Sequence, residues 1–327
     1  MNRGPEKWIP TLKDVQAAAW RIEKHVHRTP VLASRSIDDM VGAELFFKCE
    51  NLQKVGSFKF RGATNAVMSL TDEEAWNGVA THSSGNHAQA LALAARDRGI
   101  AAYIVMPMNS PQVKVDAVKG YGARVTFCQP TLTSRESTLE EVVSETGAYF
   151  IHPYDDPRII SGQGTAALEL LEDVRNLDTI MAPVGGGGLI SGTAIATKGV
   201  SPGTMVIAAE PEQADDAYRS FKTGKLMGPR GLNTIADGLR TSLSQLTFSI
   251  IREKVDDIVT VPEEGIVRAM RIIWERMKLI VEPSAAVPLG ALLENRLEVS
   301  GKRIGIILSG GNVDLDSLPW SRNDGRK

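Results

Sequence analysis

The chain is poor in cysteine and histidine. Its 327 residues hold two cysteines, Cys49 and Cys128, and five histidines. Two thiols form no disulfide framework and no zinc spacing, and the histidines offer no cluster for a metal, so a reducing, cytoplasmic setting is expected. An excess of one charge is also missing. With 37 basic and 39 acidic residues the formal net charge is −2, so no global field gathers nucleic acid or an anionic membrane, and any anion must be held locally. No apolar run reaches membrane-spanning length. The N-terminal "MNRGPEKWIPTLKDVQAAAW" carries charges and a proline where a signal peptide needs apolar residues. The expectation is a soluble protein with neither nucleic acid nor membrane as partner. No linker, repeat or low-complexity tract marks a domain boundary, yet 327 residues at 43% hydrophobic exceed the usual size of one core, and two domains are expected.

What the chain does have is alternation. Short branched runs, "AELFFKCE", "AAYIVMP", "ARVTFC", "TIMAPV", "MVIAAEP" and "RIGIILSGG", read as strands, and "NHAQALALAARDRG" and "GTAALELLEDV" read as helices between them. This is the pattern of an α/β fold with open, twisted, mainly parallel sheets flanked by helices, whose ligands sit beyond the carboxyl ends of the strands.

Three glycine-rich turns fall at such ends. In "PVGGGGLISGTAIAT", Gly185, Gly186, Gly187 and Gly188 follow a strand and open a helix. Consecutive glycines let backbone amides crowd around one anion, which the helix N-terminus also favours. The run lacks both the spaced dinucleotide glycines and the Lys-Ser or Lys-Thr of a Walker loop, and a tight turn would use the same residues. In "THSSGNHAQALALAA", a strand end leads into Ser83, Ser84, Gly85, Asn86 and His87. These suit a carboxylate or phosphate, and they are also ordinary N-caps. The third turn is Ser309, Gly310, Gly311 and Asn312 in "IGIILSGGNVDL". Lys59 stands between Phe58 and Phe60, near Gly56 and Gly62. Desolvation there would free its amine as a nucleophile, although a lone lysine is more often solvated.

Together, Ser57-Phe58-Lys59-Phe60-Arg61-Gly62, Ser83-Ser84-Gly85-Asn86-His87, the glycines 185–188 and Ser309-Gly310-Gly311-Asn312 resemble the serine/threonine dehydratase family, pyridoxal-phosphate enzymes of fold type II. The likeness runs in order from about Arg28 to Leu315. "HPYDDPRIISGQGTAALE", "AAEPEQADDAY", "IADGL" and "WERMKLIVEPSAA" are most similar to its serine racemase branch.

The resemblance implies that Lys59 carries pyridoxal 5'-phosphate and serves as the base. Phe58 would pack on the cofactor ring, Gly185 to Gly188 hold its phosphate, Asn86 bond its ring hydroxyl, and Ser309 meet its ring nitrogen. Ser83, Ser84, Gly85, Asn86 and His87 would dock the substrate carboxylate, with Ser84 as the second proton carrier that racemisation requires. Glu210, Asp216 and the Ala214 carbonyl match the branch's divalent-cation site, suited to Mg²⁺, Ca²⁺ or Mn²⁺. Lys54, Gln89, Lys114, Tyr121 and Asn312 match a site for ATP as activator, although Val55 stands where nucleotide-activated members have threonine. A two-domain chain is implied: 1–77 with 155–327 as the larger, cofactor-binding domain, and 78–154 as a smaller unit that closes over substrate. A homodimer is the family norm.

The expected activity is racemisation of serine with dehydration of L-serine and L-threonine. An alternative is threo-3-hydroxyaspartate ammonia-lyase, for which Arg135 would pair with a second carboxylate. A catalytically silent sensor on the same fold is the alternative of another class.

Overall fold

Most of the branched apolar runs become strands buried on both faces, as parallel sheets between helices require, while the edge run Arg124–Cys128 stays mostly exposed. The computed structural model describes residues 8–83 and 85–320; Ser84, one of the sequence-derived site residues, lies outside them. Among the described residues the strands are β1 (Val31–Leu32), β2 (Glu44–Cys49), β3 (Val79–His82), β4 (Ala102–Pro107), β5 (Arg124–Cys128), β6 (Tyr149–Phe150), β7 (Thr179–Pro183), β8 (Met205–Pro211), β9 (Asp257–Val261) and β10 (Arg303–Leu308). The six runs read as strands from sequence correspond to β2, β4, β5, β7, β8 and β10. The reading left out β1, β6 and β9. Two of these span two residues each, and β9 opens on an aspartate with no long branched run to mark it.

The strands form two sheets. One has the order β1-β2-β10-β7-β8-β9 and the other β5-β4-β3-β6. Only the β1–β2 pairing is antiparallel. The register of the larger sheet decides where the site lies. Strand β10 pairs with β2 up to Leu308 opposite Cys49, and with β7 up to Ile306 opposite Met181. The turns after β2, β10 and β7 therefore leave the sheet side by side at one edge. Lys59, Ser309 and the four glycines follow those three strands, so adjacency in the sheet brings them together although they lie far apart in the chain.

Alternation along each strand splits the core. Ile304, Ile306 and Leu308 face the cluster beneath the helices Glu263–Met277 and Pro283–Leu293, while Ile307 faces the opposite cluster with Ile160 and Ile190. In the smaller sheet Ile104 and Met106 face one cluster and Val105 the other. The helix Lys59–Ser69 lies on a seam. Its Phe60, Ala63 and Val67 enter the core of the smaller sheet, whereas its Arg61 bonds the helix Pro157–Asp173.

Candidate active site

The strand turns are stitched to one another by backbone. Ser57 bridges Gly310, the Phe58 amide donates to the Ser309 carbonyl at 3.0 Å, and the Gly311 amide donates to the Gly56 carbonyl at 2.9 Å. Lys59 opens its helix immediately after this contact. Its side chain retains some surface but its amine sits deep, donating to the Pro153 carbonyl at 3.0 Å and lying 5.2 Å from the Phe58 ring centre. Burial draws that amine from 10.5 down to about 8, against a smaller upward pull from Glu282. The lysine is thus desolvated, as an amine nucleophile requires.

Behind Lys59 the first turn of its helix is locked by charge. Arg61, fully buried, donates from Nε and Nη2 to Glu50 at 2.7 and 2.8 Å and from Nη1 and Nη2 to Glu169 at 2.7 and 2.8 Å. Lys48 Nζ joins Glu169 at 2.6 Å. Burial works against the charge on Arg61, but Glu50 and Glu169 outweigh it and raise its pKa.

The glycine loop lies at the start of the helix Gly188–Val200, with Gly187 in the left-handed region at φ 87. Among the described residues none of the amides of Gly185 to Gly188 finds an acceptor. Four free amides at a thirteen-residue helix's N-terminus, on the strand next to the Ser309 turn, fit a phosphate.

The smaller sheet contributes the facing wall. Asn86, the first residue of the helix Asn86–Arg98, donates to both Glu282 oxygens at 3.0 and 3.1 Å and accepts from Asn312 Nδ2 at 2.9 Å. That same nitrogen donates to the Val55 carbonyl at 2.7 Å. Val55 is a β-branched residue at φ 55, a strained conformation held by these neighbours. Among the described residues neither ring nitrogen of His87 closes a hydrogen bond, and burial first, then the charge of Lys59, holds the ring well below its ordinary pKa, against an upward pull from the Ile151 backbone. Ser83 and Gly85 form a tight turn, with the Gly85 amide donating to Ser83 Oγ at 3.3 Å.

Glu282 went unread in the sequence as a functional group. Its one signal is a carboxylate directly before a proline in the otherwise apolar "LIVEPSAA". It is 4% exposed, and burial, aided by the charge of Asp237, pushes its carboxyl up from 4.5 to about 7. The Pro153 carbonyl had no signal at all, since every residue carries one.

Arg135 lies on the helix Leu132–Thr146, where its charge and the burial of His82 lower the His82 pKa, burial being the larger cause. Its Nε is buried without a partner among the described residues. From His82 an aromatic series runs through His152, 6.2 Å away, to Tyr154, 4.6 Å farther, beside the carbonyl that holds Lys59.

The acidic pair is equally enclosed. Glu210 and Asp216 are each 1% exposed, and the buried Ala214 lies between them in the chain. The Glu210 oxygens accept the Ala217 and Tyr218 amides at 3.0 and 2.7 Å, while among the described residues neither Asp216 oxygen has a hydrogen-bond partner. Burial raises both acids, Asp216 to about 6. Two buried carboxylates, one with orphaned oxygens, and a nearby carbonyl fit a hard divalent cation completed by water. Among the described residues no group of three or more metal-binding side chains occurs.

The residues matched to a nucleotide site are mostly engaged. Lys54 lies over the Phe60 ring at 5.5 Å, Gln89 is buried, Lys114 pairs with Asp237 at 2.8 Å, and Asn312 is bonded inward. Tyr121 lines a surface pocket with Arg96 and Gly122 that contains none of the other four.

Residues 22–310 match the family model described as pyridoxal-phosphate dependent enzyme. The chain belongs to that family. It is 52% identical over 314 residues to the β-hydroxyaspartate dehydratase of Paracoccus denitrificans, covering 96% of this chain and 100% of the relative. It is also 52% identical to the serine racemase of Arabidopsis thaliana, covering 97% and 98%. The solved structure of maize serine racemase superposes with a TM-score of 0.93 at 49% identity, covering 96% of this chain and 97% of that one. As a pyridoxal-phosphate dependent enzyme with fold type II architecture, the chain has its cofactor's chemistry set by family, and the buried amine and the free amides fit that cofactor.

Proposed function

We propose that this enzyme racemises serine and dehydrates L-serine and L-threonine. The observation that carries the reading is the Lys59 amine, desolvated, free of an acid partner and held on the Pro153 carbonyl where the strand turns converge. The amides of Gly185 to Gly188 would hold the cofactor phosphate, Ser309 its ring nitrogen and Asn86 its ring hydroxyl, with Phe58 against the ring. When bound, pyridoxal phosphate supplies a sink for the electron pair left by loss of the substrate's α-proton.

Lys59 Nζ takes that proton from one face. Ser83 to His87 dock the substrate carboxylate, and Ser84 returns a proton from the opposite face, which inverts the centre. In dehydration the β-hydroxyl leaves as water, and hydrolysis then releases ammonia and a 2-oxo acid. Closure of residues 78–154 over the substrate excludes bulk water. Glu210, Asp216 and the Ala214 carbonyl take Mg²⁺, Ca²⁺ or Mn²⁺, and Lys54, Gln89, Lys114, Tyr121 and Asn312 form the region where ATP would act. The working form is a cytoplasmic homodimer.

A second reading, threo-3-hydroxyaspartate ammonia-lyase, is favoured by the Arg135 guanidinium, whose charge reaches His82 at the start of the substrate turn and whose buried Nε has no partner among the described residues. The deciding experiment offers L-serine, L-threonine and both threo-3-hydroxyaspartates to the loaded enzyme with Mg²⁺, recording D-serine and 2-oxo acid. D-serine that disappears in Ser84→Ala upholds the first reading. Strong preference for a hydroxyaspartate without D-serine establishes the second, and turnover of none of the four refutes both.

A further inference from the structure

Glu282 directly precedes the eleven-residue helix Pro283–Leu293, a position from which polar side chains commonly cap their own helix. It makes no such cap. Its amide donates to the Gly310 carbonyl at 3.0 Å, and its carboxylate lies against Gly310, where an added Cβ would fall 2.7 and 3.2 Å from the two oxygens. The bare Gly310 thus leaves the carboxylate room to reach Asn86 on the facing wall, whose Nδ2 lies 3.0 and 3.1 Å from those same oxygens. Burial disfavours the charge of Glu282, so keeping a carboxyl here works against stability, and a fold that keeps one commonly has a use for it.

The side-chain amides between the two walls run in one direction. Asn312 Nδ2 donates to the Val55 carbonyl at 2.7 Å and to Asn86 Oδ1 at 2.9 Å. A backbone carbonyl only accepts, so Asn312 must present its nitrogen, Asn86 must answer with its oxygen, and the Asn86 nitrogen is left for Glu282. The two oxygens of one carboxylate subtend a much smaller angle at that nitrogen than its two N–H bonds do, so they share a single hydrogen. Among the described residues the second hydrogen meets no acceptor.

We propose that Glu282 is a positioning residue for the cofactor: it draws the Asn86 amide across the seam and sets it so that a hydrogen, never the oxygen, faces the ring hydroxyl. The inference rests on the reading that Asn86 bonds that hydroxyl. A donor there favours the ionised ring oxygen, and the absorption of the bound cofactor reports that ionisation.

The test measures cofactor dissociation from the full-length chain by fluorescence titration, and the absorption spectrum of the loaded form, with thermal unfolding as the control for folding. Asn86→Ala is expected to weaken cofactor binding about ten-fold and to shift absorption away from the ionised form. Glu282→Leu should weaken it about five-fold or more, yet add little in an Asn86→Ala background, as two residues acting through one contact require. Glu282→Ala takes the place of the leucine variant if that one does not fold. Glu282→Gln keeps an acceptor oxygen and should stay within about two-fold of wild type. Wild-type affinity and spectrum in Glu282→Leu, or a loss that persists in full beside Asn86→Ala, overturns the positioning role and leaves the Asn86 reading standing, as does a glutamine variant no better than leucine. Wild-type affinity and spectrum in Asn86→Ala removes that reading and the inference with it.

Discussion

Two residues show how burial sets proton affinity at this site. Lys59, lowered to about 8 by desolvation, should take up cofactor at a rate that follows its unprotonated fraction. Uptake by the cofactor-free chain is expected to be half-maximal near pH 8; a half-rise above pH 10 would show an ordinary solvated lysine. Glu282 moves the other way, its carboxyl raised from 4.5 to about 7. The folded chain then holds a proton that the unfolded chain releases, so this group's stabilisation is complete below about pH 4.5 and lost as pH rises through 7. The effect is on the order of 3 kcal/mol. Urea unfolding of the cofactor-free chain at pH 5 and pH 8 should show Glu282→Gln narrowing the stability difference seen in wild type, and an unchanged difference would contradict the assignment.

At the scale of elements, the helix Lys59–Ser69 is fixed by charge on one side and by apolar packing on the other. Arg61 faces Glu50 and Glu169 with side-chain exposures of 0%, 0% and 15%, so nothing but protein neutralises them. Removing the guanidinium leaves the buried Glu50 carboxylate without a counter-charge while Glu169 keeps Lys48, and Arg61→Met is expected to destabilise the fold by about 3–5 kcal/mol. By contrast, Arg28→Ala breaks ion pairs with Glu172 and Asp173 whose side chains are a third to a half exposed, and it should cost about 1 kcal/mol or less. Denaturant midpoints of the two variants test the contrast. Five of the six readable strands, β2, β4, β7, β8 and β10, are largely buried runs, and the exposed edge strand β5 was readable from its branched and aromatic residues alone, whereas β1 and β6 arise from pairing to neighbours and leave no run of their own.

In the whole molecule, the sheet Val79–Phe150 touches the larger sheet's turns through polar ties, Asn86 to Glu282, Asn312 to Asn86 and Lys114 to Asp237. Polar ties exchange with water far more readily than the apolar packing by which Phe60, Ala63 and Val67 join the smaller sheet's core, so the proposed closure would move on the former and pivot on the latter. Glycine docks a carboxylate and has no β-hydroxyl to lose. Its binding to the loaded enzyme is expected to slow amide exchange in segments 85–90 and 151–156 while leaving β10 unchanged, as read by mass spectrometry. Equal slowing in β10 would argue for general stiffening instead of closure.

The sequence by itself determined the family, and it carries the proposed site lysine and the small residues of the three turns, because amides that must approach a ligand demand glycine, serine or asparagine in the chain itself. It also determined the parallel α/β architecture, through hydrophobic runs of strand length alternating with amphipathic helices. Only the tertiary structure decided that the Pro153 carbonyl receives Lys59, that Glu282 lies buried against Asn86, and that Tyr154 packs on Gly186 and Gly188 while Leu239, Thr241, Leu243 and Thr247 pack on Gly185 and Gly187. A backbone carbonyl has no side-chain signature, and burial is a property of what surrounds a residue. Both arise when strands distant in the chain become neighbours, which is settled by packing and register and not by local composition.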